Sequence, residues 1–279
     1  MVVLVTGSSG QVGQALQHIA PQYPDLTFYF AGSDEGDVLN KKKLAKLFLE
    51  TKANYCINAA AYTAVDKAES EPEKAFAINA TGAFNVAKTC YDFGASLIHI
   101  STDFVFDGEK GSPYTEDDKP NPQGVYGKTK LEGELLVQEA LLEHYIVRTS
   151  WVYSQFGNNF MKTMLRLGAE RPEINVVADQ SGTPTHAVDL AHALLKIVTR
   201  DNEAYGTYNY SNEGIATWYD FAKHIFEVNN VEVKVNAIAT SAYPTPAVRP
   251  NYSVLDKSKI KTAFELEIKP WQQSVEKIQ

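Results

Sequence analysis

The first 150 residues alternate short apolar runs with longer stretches whose apolar positions recur every three or four residues. Residues 2–5, 27–30, 55–58, 97–101 and 145–148 are rich in β-branched and aromatic side chains and read as apolar on both faces, as strands in the middle of a covered sheet do. Between them, residues 11–19, 41–51, 73–93 and 126–143 read as helices, and the polar stretch 34–40 supplies turn residues ahead of the second. Strands that alternate with helices require right-handed crossovers. The expected class is therefore α/β, a doubly wound parallel sheet with helices on both faces.

Beyond residue 150 the pattern changes. Pro172, Pro184, Pro244 and Pro246 mark turns, and strand-like segments (174–177, 207–210, 231–238) mix with helical ones (160–167, 187–199, 218–228). This predicts a division into a first domain, 1–150, and a smaller mixed α/β lobe, 151–279, on the sheet's carboxyl edge, with the chain able to cross back to the first domain. No repeat of fixed period and no low-complexity segment interrupts the chain.

Composition narrows the function classes. Of 279 residues, 44% are apolar and 22% charged, ordinary globular usage. The net charge of −8 argues against a nucleic-acid surface, which shows a basic stripe. Two cysteines, Cys56 and Cys90, match no metal spacing and no disulfide framework, which points to a reducing, cytoplasmic setting. Residues 1–5 read as a strand rather than a leader, and no segment approaches the ~20 apolar residues that cross a bilayer. No membrane partner is expected.

Three features carry chemistry. Gly7, Gly10 and Gly13 stand at the first strand-to-helix turn, spaced G-x-x-G-x-x-G. Gly7 suits a tight turn, Gly10 the approach of a pyrophosphate to backbone amides, and Gly13 the packing of helix on strand, with the helix N-terminus favouring the anion. This loop makes the sheet Rossmann-like and the first domain an NAD(P)-binding one. Tyr126 and Lys130, four apart on a helix, share one face. Carbonyl reduction needs a proton donor, and an ammonium beside a phenol is expected to lower its pKa from ~10. The same lysine can hold the cofactor ribose. At the end of the fourth strand, Thr102 is expected to face the cleft and polarise a substrate carbonyl. Ser101 faces away in that reading, and His99 belongs to the core.

With these residues in place, the chain resembles the extended short-chain dehydrogenase/reductase family, and within it the reductases of sugar nucleotides. The resemblance runs through residues 10–13, 58–69, 101–108, 126–134 and 148–153, then through 157–160, 179–185, 241–247, Arg249 and Pro250. The second-half segments are the most discriminating, because the wider family shares only the first half. The resemblance implies hydride transfer from NADPH or NADH to C4 of dTDP-4-dehydro-L-rhamnose, giving dTDP-L-rhamnose. It implies Tyr126 as the acid, Lys130 as its partner and Thr102 as the carbonyl-orienting hydroxyl. Gly10, Gln11 and Val12 correspond to phosphate-loop contacts; Asp37, Val38, Ala60, Ala61 and Tyr62 correspond to contacts with the adenine, ribose and nicotinamide. Val65, Asp103 and Trp151 correspond to positions lining the sugar, a role that suits a carboxylate and an indole.

Departures matter too. Phe104 stands where a tyrosine is frequent. The acidic ribose ligand expected at the end of the second strand is missing from its usual place, with Asp34 a little late, and no arginine stands nearby for a 2′-phosphate. NADH and NADPH therefore both remain open. An acidic magnesium cluster that some relatives carry at a dimer interface has no matching positions, so no metal is expected. Arg249, between proline-rich turns, is a candidate for the substrate diphosphate. The implied partners are a dTDP-sugar and, as the assembly the family allows, a homodimer.

Two other readings compete. A nucleotide-sugar epimerase or dehydratase shares the glycine loop and the Tyr-Lys pair, although dehydratases place a pair of acids after the strand-four threonine, where this chain has Asp103 and then Phe104. A non-catalytic regulatory subunit, resembling that of methionine adenosyltransferase, can keep the fold.

Overall fold

The structure, a computed structural model, describes residues 1–275. In chain order it runs β1 (Val2–Thr6), α1 (Gln11–Ile19), β2 (Thr27–Ala31), α2 (Lys41–Thr51), β3 (Tyr55–Asn58), α3 (Val65–Ala68), α4 (Pro72–Phe76), a π-helical turn (Ala77–Gly82), α5 (Ala83–Phe93), β4 (Ser96–Thr102), α6 (Val125–Ala140) and β5 (His144–Thr149). The second half holds β6 (Val152–Tyr153), α7 (Phe160–Glu170), β7 (Glu173–Val177), β8 (Ser181–Gly182), β9 (Thr185–His186), α8 (Ala187–Arg200), β10 (Gly206–Asn209), β11 (Ala216–Thr217), α9 (Trp218–Asn229), β12 (Lys234–Ile238), α10 (Ser258–Phe264) and α11 (Trp271–Ser274). The boundary expected at residue 279 lies outside the described residues.

Six strands form one parallel sheet in the order β10-β5-β4-β3-β1-β2. Leu4, Val5, Ile57, Leu97, Ile98, Ile146 and Val147 are buried because helices cover both faces. On one face α1 and α8 pack with α10 around Leu16, Ile19, Leu194 and Phe264; on the other α2, α5 and α6 bury Leu44, Phe48, Val86 and Val137. The chain reverses direction across the sheet between β1 and β3, and ligands bind beyond the carboxyl ends of strands at such a switch point.

The structure corrects three expectations. The second strand is not buried on both faces: it is the sheet edge, with Thr27 and Tyr29 exposed. Residues 73–93 are not one helix, because the ladder loosens into the π turn. Asn79 in that turn accepts the Tyr62 amide (2.8 Å) and donates to Thr129 (3.1 Å), while its carbonyl would lie 2.1 Å from a Cβ on Gly133. The bulge thus fits α6 tightly against the loop after β3, as π turns near functional sites often do. The strand expected over 231–238 begins only at Lys234.

Past residue 150 the chain does cross back. α8 packs on α1, and β10 pairs with β5 as the sixth strand. What stands apart is a smaller cluster of α7, α9, β7, β12 and α11 around Met161, Ile174, Phe221, Ile225 and Trp271.

Candidate active site

The glycine loop lies at the switch point. Gly7 has φ +68°, and a Cβ there would sit 2.5 Å from the Ala60 nitrogen, so the loops after β1 and β3 touch. A Cβ on Gly13 would lie 2.5 Å from the Ser8 Cα, which seats α1 directly on the loop. Gly10 is the N-cap of α1 and offers no side chain to its first-turn amides. Those amides and the positive helix end therefore remain for an anion, and the residues fit a dinucleotide pyrophosphate.

Beyond the loop opens a cavity of about 580 Å³. Gly10, Gln11, Val12, Ala61, Val65, Thr102, Asp103, Tyr126, Lys130, Trp151 and Arg249 all line it. The three proposed catalytic side chains thus meet at one wall with the phosphate loop. Thr102 ends β4, and its hydroxyl donates to Asp103 (3.1 Å) and accepts the Phe104 amide (3.2 Å). The Ser101 hydroxyl is instead taken by Glu134. Buried His99 meets Asn58 (3.1 Å), whose Oδ1 accepts the Thr6 hydroxyl (2.8 Å), so a core chain of bonds runs across β1, β3 and β4.

The electrostatics correct one expectation. Burial pushes the Tyr126 phenol up to about 12; the Thr102 hydrogen bond opposes this and the Asp103 charge adds to it. Lys130 does not lower it, because its ammonium donates to the Ile100 carbonyl (2.6 Å). Burial pushes the Lys130 amine down to about 8, with the Glu134 charge partly offsetting. Burial also raises the Asp103 carboxyl to about 6, against hydrogen bonds from Ser253 and Thr102. The phenol is thus held protonated, ready to act as an acid.

Other expected residues stand elsewhere. Gly7 and Gly13 shape the loop from beneath. Ala60 accompanies them, its amide donating to Asn58 Oδ1 (3.2 Å). Tyr62 is buried with its hydroxyl donating to Glu71 (2.8 Å), so its ring does not reach the cavity lining. Asp37 and Val38 lie past β2, away from this cavity; Asp37 accepts the Leu39 amide (3.0 Å) and Val38 accepts Asn85 (3.0 Å). Arg249 is not a free cation for a diphosphate. Its guanidinium is forked onto Asp66 (2.9 and 3.0 Å) and donates to Thr245 (2.6 Å).

One residue of this wall, Trp218, escaped the sequence reading. Trp151 has φ +47°, unusual for a bulky side chain, and stacks on Trp218 with ring centroids 3.5 Å apart. Trp218, at the start of α9, donates to Gln180 (3.1 Å) and lines both this cavity and a second one of about 830 Å³. No spacing rule ties residue 218 to residue 151; only the fold does. Phe104 meets Tyr126 edge-on at 5.6 Å, so the departure from tyrosine lies beside the phenol itself. Among the described residues no helix is long and apolar enough to cross a membrane, and no cluster of three or more potential metal ligands occurs.

A glycine loop at the switch point of a parallel sheet, facing a buried Tyr-Lys pair and a strand-end threonine, defines a Rossmann-like oxidoreductase class. The family model described as the RmlD substrate binding domain matches residues 1–279, and the chain belongs to that family. A dTDP-4-dehydrorhamnose reductase of Escherichia coli K12 is 43% identical over 290 residues, covering 100% of this chain and 97% of the relative. The solved dTDP-4-dehydrorhamnose reductase of Clostridium acetobutylicum superposes with a TM-score of 0.93 at 43% identity, covering 99% and 97% of the two chains. That of Bacillus anthracis, solved in complex with NADP, gives 0.94 at 40% identity, covering 98% and 96%.

Proposed function

We propose that this chain reduces the C4 keto group of dTDP-4-dehydro-L-rhamnose to dTDP-L-rhamnose, with NADPH or NADH as reductant, in the last step of dTDP-rhamnose formation. The observation that carries this reading is the convergence of Thr102, Tyr126 and Lys130 with the glycine loop on one cavity wall, in a chain similar over its full length to reductases of that name. Residues 1–150 supply the cofactor site and residues beyond 150 much of the substrate site. The second cavity, lined by Phe160, Leu167, Val177 and Tyr243 and joined to the first at Trp218 and Arg249, suits the nucleoside half of the substrate.

The nicotinamide, when bound, supplies the hydride that forms the new C4–H bond. Gln11 and Val12 amides hold the pyrophosphate. Thr102 turns its hydroxyl proton from Asp103 to the C4 oxygen and aligns it. As negative charge builds on that oxygen, Tyr126 gives it the phenolic proton, and the Lys130 ammonium, held on the Ile100 carbonyl at rest, turns toward the phenolate once it forms. Asp103 accepts from sugar hydroxyls, and Trp151 covers an apolar sugar face, braced by Trp218. Both cysteines are free and buried, which suits a cytoplasmic enzyme; a homodimer is the assembly to test by light scattering.

Turnover of dTDP-4-dehydro-L-rhamnose with NADH and NADPH side by side tests the reading. One nicotinamide oxidised per sugar reduced is expected. Regenerated nicotinamide would mark an epimerase, and no turnover together with tight capture of a protein partner would mark a regulatory subunit; either outcome sinks the proposal.

A further inference from the structure

Beneath the catalytic wall lies an ion pair that the mechanism does not use. Glu134 sits on α6 one turn beyond Lys130 and two beyond Tyr126, and is 1% exposed. Arg148 on β5 forks onto it: Nε donates to both carboxylate oxygens (3.0 and 3.2 Å) and Nη2 donates to Oε2 (2.7 Å). Ser101 on β4 donates its hydroxyl to the same carboxylate, and Ser101 and Arg148 are register partners across the two strands. The Arg148 guanidinium lies over the Phe106 ring at 5.2 Å. One helical carboxylate thus ties two neighbouring strands, one ending in Thr102 and the other leading to Trp151.

Such a pair is not a stability device. Taking both charges out of water costs several kcal/mol per ion, and apolar side chains of equal volume hold a helix on a sheet as well or better. What apolar packing cannot supply is a fixed negative charge facing Lys130 and a directional bond to the residue next to Thr102. We propose that Glu134 is the positioning residue of this site, setting α6 on β4 so that Tyr126 and Lys130 meet Thr102, and holding Lys130 as an ammonium.

The ionisable groups around Lys130 are Tyr126 and Glu134 from α6, His99 from β4, Asp103 from the turn after β4 and Arg148 from β5. His99 is kept neutral by burial, which pushes its imidazole well below the ordinary value. Asp66 on α3 is spent on Arg249, Lys67, Glu73 and Lys74 on α3 and α4 are exposed, and Lys88 pairs with Asp92 on α5. Glu134 is therefore the carboxylate on which the lysine charge depends.

The duty of Lys130 rests on the reductase reading, so two measurements are paired. Wild-type turnover tests that reading. The pH dependence of Lys130 amine labelling, read by mass spectrometry without substrate, tests Glu134. Glu134→Gln keeps an acceptor for Ser101 but loses the charge. It should move the Lys130 labelling midpoint and the alkaline limb of kcat/KM toward acid by about one pH unit. Glu134→Gln/Arg148→Gln, which leaves no bare guanidinium, should recover stability, and its midpoint should lie acid of that of Arg148→Gln, the reference that lacks the same guanidinium charge; this pair carries the comparison if the single variant does not fold. An unmoved midpoint in either comparison overturns the proposal, since Glu134 would then serve only as the partner of Arg148.

Discussion

In the proposed reaction Tyr126 starts as a strong holder of its proton. With its phenol pushed up to about 12 by burial, essentially all of it is protonated at neutral pH, and donation is driven by charge developing on the substrate oxygen. Tyr126→Phe should therefore keep NADPH affinity, read by fluorescence titration, while turnover falls ~10²-fold or more; undiminished turnover would remove Tyr126 from the chemistry. Asp103 makes a different prediction. Its folded carboxyl titrates at about 6, above the ordinary 3.8, so the fold favours the protonated form. The stability this contributes is complete below the unfolded value and is lost as pH rises through about 6, by up to ~3 kcal/mol. Asp103→Asn should thus raise the melting temperature of the ligand-free protein at pH 7.5 and leave it little changed at pH 4. The same variant should weaken sugar binding, because the aspartate exchanges stability for a carboxylate in the cleft. Equal melting temperatures at both pH values would show that Asp103 is ionised without strain.

Strand β4 and helix α6 bring Thr102, Tyr126 and Lys130 to one cavity, and the placement of these elements was largely legible. Apolar runs located all five strands of the first half, the three glycines located the turn at the switch point, and a four-residue interval put Tyr126 and Lys130 on one helix face. The strand end put Thr102 at the cleft, where it lines the cavity, although Ser101, expected to face away, lines it too while its hydroxyl goes to Glu134. What was not legible depends on contacts between distant segments. The edge position of β2 follows from strand order, which periodicity does not encode. The π turn follows from Asn79 bridging Tyr62 and Thr129, and the raised phenol of Tyr126 from its burial, with Lys130 held on the Ile100 carbonyl. Arg249 likewise looked free in a proline-rich loop until Asp66, 183 residues away in the chain, came beside it. Trp218 is the case with the sharpest consequence. It stacks on Trp151, whose ring also lies against Gly182 and whose carbonyl accepts the Thr185 amide (3.2 Å). Trp218→Ala removes stacking of roughly 1 kcal/mol, so KM for the sugar nucleotide should rise about fivefold with a smaller change in kcat. NADPH affinity should stay put; an unchanged sugar-nucleotide KM would show that Trp151 holds its place alone.

The two halves of the chain are joined at the phosphate loop by a side chain, not only by a linker. Gln11 Oε1 accepts from Asn159 (3.0 Å) and from the Ser154 hydroxyl (3.2 Å), and Gln11 Nε2 reaches the Val152 carbonyl (3.4 Å). Gly157, at φ +58°, lets the intervening loop lie against Gln11, where a Cβ would stand 3.0 Å from its Cγ. Asn159 is also the N-cap of α7, accepting the Lys162 amide (3.1 Å). The next turns of α7 carry Phe160, Thr163, Met164 and Leu167 into the second cavity. A bound pyrophosphate and a bound nucleoside thus act on the same short chain of hydrogen bonds from opposite ends, which gives their binding energies a route to couple. Asn159→Ser separates the cap from the Nδ2 bonds, which run to Gln11 and to the Ser154 and Phe156 carbonyls (2.7 and 3.2 Å). Serine caps a helix as well as asparagine does, so the melting temperature should change little, but its hydroxyl is too short to reach Gln11. NADPH should then bind several-fold more weakly, and the tightening of NADPH by saturating dTDP that is expected in the wild type, read by calorimetry, should shrink toward none. Asn159→Ala, which removes both duties, should add a stability loss of ~1 kcal/mol to the same binding defect. If Asn159→Ser instead keeps wild-type affinity and the same response to dTDP, the lobes communicate without Gln11, and the contact is packing alone.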